Sequence, residues 1–172
     1  MNWKREPSER GRKKIAQGIS LDGPGDWTKK PYIPDGFPVS STNPGTWSDF
    51  EVCLKAYQGG DEFDGISFVL SKDEVHGDPF FRVDLDHCRD ADDSMQPWVH
   101  EVIERFNSYT EISPSGDGIR IFGKGLLPGK GRRNGEKEVY YHGRYVIVTG
   151  HALRTFLNPD QYVNAKTSWM HF

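Results

Sequence analysis

The chain has 172 residues, 35% of them hydrophobic, and a mean hydropathy of −0.71, so it can bury one core while staying polar overall. No apolar run approaches the roughly 20 residues that a membrane helix needs, no secretory signal opens the chain, and two cysteines outside any CxxC pair (Cys53 and Cys88) argue against a disulfide framework and against zinc. The net charge of −3 is uneven: residues 1–30 sum to +4 and the remainder to −7, which leaves a basic N-terminal arm able to touch nucleic acid or simply to stay solvated.

Residues 1–45 are rich in Gly, Pro, Ser and charge, and read as mostly irregular chain with a short strand at Asn2–Glu6. Thr28–Tyr32 is extended, because residues before a proline avoid the helical region. The first helix is expected from about Ser48, with Ser48 and Glu51 as a capping box, Trp47, Phe50, Leu54 and Tyr57 as its apolar stripe, and Gly59–Gly60 as its stop. Ile66–Leu70 reads as a buried strand, paired as a hairpin across the Ser71–Pro79 loop with Phe80–Asp86. After an acidic loop, Pro97 opens a second helix with Trp98, Val102 and Phe106, flanked by Val99 and Ile103, as one apolar stripe, ending near Ser108. Tyr109–Ile112 is extended, Ser113–Gly118 is a turn, and Ile119–Phe122 is a strand. Glu138–Tyr141 and Arg144–Thr149 form a second hairpin about His142–Gly143. Helix, two strands, helix and three strands imply an α+β fold, a mainly antiparallel sheet with helices packed on it.

The chemistry is sought first on the strand Phe80–Asp86. Side chains alternate along a strand, so Asp84 and Asp86 project together while Val83 and Leu85 project the other way. Two neighbouring carboxylates repel one another, and a divalent cation offsets that cost; the plain alternative is an acidic face that meets water. Glu138 opens a later strand and is either a third carboxylate for the same cation or a surface residue. The Ser- and Gly-rich turn at Ser113, Ser115, Gly116 and Gly118, followed by Arg120, suits a phosphate, but an ordinary hairpin turn has the same composition. Arg144 beside a turn is either an anion contact or a solvated charge. Lys124, Lys130, Arg132 and Arg133 form a basic loop that is either a groove for a phosphate backbone or a solubilising surface. Gly118–Lys124 fits GxxxxGK, but Gly125 stands where a P-loop needs Ser or Thr, so a P-loop is rejected; Arg89 in the place of the turn glycine likewise rejects an EF-hand at Asp84.

Val83-Asp-Leu-Asp86, Ser108-Tyr-Thr-Glu-Ile-Ser-Pro-Ser-Gly-Asp-Gly118, Glu138-Val-Tyr140 and Gly143-Arg-Tyr-Val-Ile-Val-Thr-Gly150 follow one another in a fixed order. With Lys30-Pro-Tyr32 and Ser40–Trp47 upstream, this ordered set resembles the primase-polymerase domain of phage and plasmid replication proteins, within the archaeo-eukaryotic primase superfamily. The resemblance implies a sheet like that of an RNA-recognition motif, with packed helices and an additional N-terminal α/β unit. It places a catalytic domain at 28–150, a basic flexible arm at 1–27, and a tail or the start of an extension at 151–172. It implies DNA primase and polymerase activity, that is, nucleotidyl transfer that extends DNA on a template. Asp84, Asp86 and Glu138 would hold Mg²⁺ or Mn²⁺, two ions in all. Ser113, Ser115, Gly116, Gly118, Arg120, Lys124 and Arg144 would hold the nucleotide. The partners implied are a DNA template and primer, a dNTP or NTP, and a helicase domain or a helicase acting in trans, with no membrane. The setting is the cytoplasm of a bacterial or phage-infected cell.

Three departures accompany the resemblance. Arg120 stands where the family commonly has His, and an arginine binds phosphate but cannot shuttle a proton. The chain opens at Met1-Asn-Trp, where relatives often have more chain. It also ends soon after Gly150, without the helicase module or helical extension on which priming often depends, so extension is expected ahead of priming. Two other readings stand beside this one: a catalytically impaired module that binds nucleotide or single-stranded DNA, and a metal-dependent nuclease built on the same acidic pair.

Overall fold

A computed structural model describes residues 1–23, 25–60, 62–71, 79–125, 127 and 131–154. The chain divides into two units, 1–68 and 69–172, each described by itself.

The first unit is built around β1 (Asn2–Pro7), which runs antiparallel to β2 (Trp27–Tyr32) from Asn2 opposite Tyr32 to Pro7 opposite Trp27. On its other side β1 meets β3 (Gly65–Leu70) at Asn2 opposite Ile66 and Trp3 opposite Gly65. Pro31 is tolerated because β2 lies at the edge of its sheet, where a missing N–H leaves no ladder bond unmade. The strand expected at the N-terminus is therefore present, and a helix follows it directly where the sequence reads as irregular chain. Ser8 accepts a 3.0 Å bond from the Gly11 N–H and caps α1 (Glu9–Ala16), and Glu9 pairs with Lys13 one turn on. Asp26, fully buried, ties the next loop to this helix through Lys14 at 2.7 Å and Arg10 at 3.2 Å.

The segment Ser40–Trp47 closes on itself around a 3₁₀ turn at Pro44–Thr46: the Trp47 indole and the Thr46 hydroxyl both donate to the Ser40 carbonyl. α2 (Phe50–Gln58) follows, with Asp49 at its N-cap and no side-chain capping bond, so the Ser48–Glu51 capping box is not formed. Its expected apolar stripe is also corrected. Phe50 and Tyr57 are exposed, and the buried position is Cys53, whose carbonyl accepts from the buried Asn2 side chain at 2.9 Å. The smaller side chain, on the helix side that meets β1, is the one taken inside.

The second unit holds a six-stranded sheet in the order β10 (Ala152–Arg154), β5 (Thr110–Ile112), β6 (Ile119–Lys124), β4 (Phe80–Leu85), β8 (Lys137–Tyr140), β7 (Arg132–Asn134). All its pairings are antiparallel among the strands whose register is described. The α+β expectation stands. Both predicted hairpins are replaced: β4 lies between β6 and β8 rather than beside β3, and β8 pairs with β4 and β7 rather than with β9 (Arg144–Val148). β9 runs instead by the end of β3, where the Gly143 N–H donates to the Leu70 carbonyl at 3.0 Å.

One face of the sheet is apolar. Phe81, Val83 and Leu85 of β4, Ile119 and Ile121 of β6 and Val139 of β8 pack on Val99, Ile103 and Phe106 of α3 (Pro97–Phe106). The Phe81 and Phe106 rings meet at 5.9 Å. Pro97 starts the helix and Asn107, at φ +44°, stops it, close to the expected limits. With the core on this face, the period of two turns Arg82, Asp84 and Asp86 to the other.

Candidate active site

The second face of the sheet carries a row of charge. In register across four strands stand Glu111 (β5), Arg120 (β6), Asp84 (β4) and Glu138 (β8), with Arg133 (β7) beyond them. Asp84 is 7% exposed, and both of its oxygens are engaged. Oδ1 accepts from Arg120 Nε at 3.0 Å, and Oδ2 faces Arg82 Nη2 at 2.8 Å. Arg120 is itself fixed, because its Nη1 donates to the Ile147 carbonyl at 2.7 Å. Glu138 meets the exposed Arg133 at 2.9 Å.

Two residues on from Asp84 and just past the end of β4, Asp86 continues the same face. Its carboxyl is held above the ordinary carboxylate range, first by partial burial and then by the charges of Asp84 and Glu138, with His87 and Arg120 opposing. Three carboxylates therefore act on one another here, and hard oxygen donors of this kind suit Mg²⁺ or Mn²⁺. Among the described residues, no three His, Cys, Asp or Glu side chains are gathered closely enough to ligate one ion as they stand. Because both Asp84 oxygens are held by arginines, Asp84 would have to release one of them to ligate a cation.

The Ser113–Gly118 turn lies against the end of β4. Ser113 N donates to the Gly118 carbonyl at 2.8 Å, and the Ser113 and Ser115 hydroxyls lie 2.8 Å apart. The Asp117 carbonyl accepts from the backbone N–H groups of Cys88 and Arg89, and the Gly116 carbonyl accepts from Arg89 Nη1 at 2.7 Å. His87 Nδ1 and Asp117 Oδ2 are 2.6 Å apart. Residues 87–89, which directly follow the acidic strand, thus hold the glycine turn beside Asp86.

The bond to Asp117 holds the His87 imidazole above its usual value, and Asp117 is correspondingly lowered by its bonds to Ser115 and His87. The contribution of His87 is complete below the imidazole's ordinary value and is lost as pH rises through the raised one. That of Asp117 is lost as pH falls through its lowered value. An NMR titration of His87 is expected to give a midpoint above that of a free imidazole, and Asp117→Asn should return it.

The remaining predicted residues lie toward the other end of this face. Lys124 stands opposite Phe80, four residues from Asp84 or about 13 Å at strand rise, with its ammonium 5.0 Å from the Phe80 ring centroid. Arg144 is exposed and lies over the Tyr140 ring at 4.9 Å, and Tyr140 is the cross-strand neighbour of Arg82. The structure thus brings together Asp84, Asp86, Glu138, Arg120 and the turn, and sets Lys124 and Arg144 at the aromatic end. Lys130 lies outside the described residues.

Sequence reasoning passed over two members of the site. Arg82 shares the period-two face of Asp84 and Asp86, a signal available in the sequence. Glu111 is fully buried and accepts from the N–H groups of Thr149 and Gly150 and from the Tyr109 hydroxyl. Burial, then the charge of Glu111 and its bond, push the tyrosine up to about 12.

Over 133 aligned positions, covering 72% of this chain, the sequence is 38% identical to a "DNA Primase-polymerase" of Nitratiruptor phage NrS-1. The chain is related to phage primase-polymerases. The match covers 18% of that relative, so the chain spans less than a fifth of the length of the phage primase-polymerase. No family model matches the chain. Among the described residues no helix is long and apolar enough to cross a membrane.

Proposed function

We propose that the chain carries the catalytic domain of a metal-dependent DNA primase/polymerase, a nucleotidyltransferase that extends DNA on a template and, given a suitable extension, primes it. Its core, placed at 28–150, is read as that of the archaeo-eukaryotic primases, with β1 and α1 of the basic arm built onto β2. The observation that supports this most is the gathering of Asp84, Asp86 and Glu138 on one sheet face beside a glycine turn, in a relative of phage primase-polymerases.

In this reading Asp84, Asp86 and Glu138 hold Mg²⁺ or Mn²⁺, two ions in all. When bound, these ions stabilise the attacking and leaving oxygens of the displacement. The protein's own part is positioning. The Ser113–Gly118 turn and Arg120 meet the phosphates close to the acids, and Lys124 and Arg144 extend the positive charge along the face. Arg120 orients and neutralises, since a guanidinium binds phosphate but moves no proton. A dNTP or NTP, a template–primer and a helicase domain or a helicase acting in trans are the partners, in the cytoplasm of a bacterial or phage-infected cell.

Primer extension by the 172-residue protein with Mg²⁺ or Mn²⁺ tests this. Asp84→Ala with Asp86→Ala is expected to abolish extension, and Glu138→Gln to reduce it by a smaller factor. Activity that survives the double substitution overturns the assignment. A second reading, a nucleotide- or single-stranded-DNA-binding module without catalysis, is favoured by one observation, the pairing of both Asp84 oxygens with arginines. Metal-dependent nucleotide affinity without extension on any template would select it. Shortening of labelled DNA without added nucleotide would point to a nuclease.

A further inference from the structure

The two arginines on Asp84 are not equivalent. Arg120 has a second anchor in the Ile147 carbonyl, and the chain just beyond Ile147 is pinned by Glu111, which takes the N–H groups of Thr149 and Gly150. Were Asp84 to turn to another partner, Arg120 would keep a hydrogen bond. Arg82 is placed differently. Its side chain is nine-tenths buried, its Nη2 faces Asp84, and its Nε is buried without a partner. Its cross-strand neighbours are Phe122 and Tyr140.

If a cation took Oδ2 of Asp84, the Arg82 guanidinium would be left as a buried positive charge with an unmet donor, between two rings and near the cation itself. A buried charge that loses its partner is costly unless another anion replaces it. Nucleotide phosphates at this face supply that anion.

We propose that Arg82 is an exchangeable counter-charge that couples cation and phosphate binding: it closes Asp84 to a divalent ion until an anion arrives to take its guanidinium. The inference rests on the reading of Asp84 as a cation ligand. Because coupling is reciprocal, the anion raises cation affinity by the same factor as the cation raises anion affinity. A phosphate-bearing substrate and a cation would then enter together, and the cation alone would bind poorly.

Mn²⁺ binding followed by electron paramagnetic resonance tests this, with sulfate as the anion because it chelates Mn²⁺ only weakly. The full chain is expected to bind Mn²⁺ weakly alone and at least about five-fold more tightly in sulfate, the low end of ordinary coupling energies. Arg82→Met is expected to bind Mn²⁺ alone about ten-fold more tightly than the unsubstituted protein, with no response to sulfate. Should the methionine variant not fold, Arg82→Gln, which also removes the charge but keeps a polar amide in the buried position, carries the same expectation. Mn²⁺ binding that is lost in Asp84→Asn, yet unchanged in strength and in sulfate response by the Arg82 substitution, overturns this inference alone. Mn²⁺ binding that Asp84→Asn leaves intact overturns the cation reading beneath it.

Discussion

Asp84→Asn is expected to abolish nucleotide transfer and to lower folding stability by about 3 kcal/mol, the cost of breaking a buried ion pair from one side. The two effects share one cause. Asp84 supplies the negative charge that neutralises two largely buried arginines, and an amide supplies none. One of its positions would also present an N–H₂ to a guanidinium, donor against donor. Denaturant melts of the variant should therefore shift even in chelator.

Asp86→Asn separates these effects. Asp86 is held above the usual carboxylate range by burial and by its acidic neighbours, so the folded state binds its proton more tightly than the unfolded chain does. Stability then falls as pH rises through and beyond that range. Removing the charge is expected to leave the metal-free protein at least as stable at neutral pH while extension is lost. Such a pattern, in which a substitution costs activity and not stability, marks a site whose repulsion is kept for function.

Gly118→Ala is the second large effect. A Cβ at this position would lie 2.7 Å from the Leu85 carbonyl oxygen and 3.1 Å from the Ser113 hydroxyl. The first obstacle is backbone, so no rotamer relieves it, and either the turn or the end of β4 must move. The expected cost is about 1–3 kcal/mol, typical of overpacking at a rigid contact. Since the turn is bound to residues 87–89, the displacement reaches Asp86, just past the end of β4. Steady-state extension should show a KM for nucleotide that rises by more than kcat falls. Gly116→Ala makes a useful companion, because nothing lies within 4 Å of its added Cβ: any loss there reports its φ of +88° rather than a clash.

What the sequence made legible follows from how local each signal is. The period of two in Phe80–Asp86 foretold which side chains would share a face, and the structure places Phe81, Val83 and Leu85 in the core accordingly. The apolar side of α3 and the Ser113–Gly118 turn were likewise carried by short-range pattern. Strand pairing was not. Ile66–Leu70 and Phe80–Asp86 are neighbours in sequence, as are Glu138–Tyr141 and Arg144–Thr149, and proximity along the chain is all that pairs them. Yet β4 takes strands from 34 or more residues downstream, a choice made by side-chain packing across the sheet.

A local signal was also overlooked: a two-residue turn opened by a glycine suits a hairpin, and Gly135–Glu136, with Gly135 at φ +60°, joins β7 to β8. Carboxylates that share one strand face are conspicuous in a sequence. Arg82 was missed because a single arginine among apolar residues reads as a solvated charge until the fold encloses it. Only the tertiary structure could reveal that Arg120, expected at a phosphate, spends its guanidinium on Asp84 and the Ile147 carbonyl.

A crystal of this chain soaked with Mn²⁺ and a nucleoside triphosphate, with the ions located by anomalous scattering, tests the central claim most directly. The expected map has Mn²⁺ ligated by Asp84, Asp86 and Glu138, the triphosphate against the Ser113–Gly118 turn, and Arg82 turned from Asp84 to a phosphate oxygen. Nucleotide bound away from this face, or Mn²⁺ absent from it while Asp84 keeps both arginines, would contradict the account.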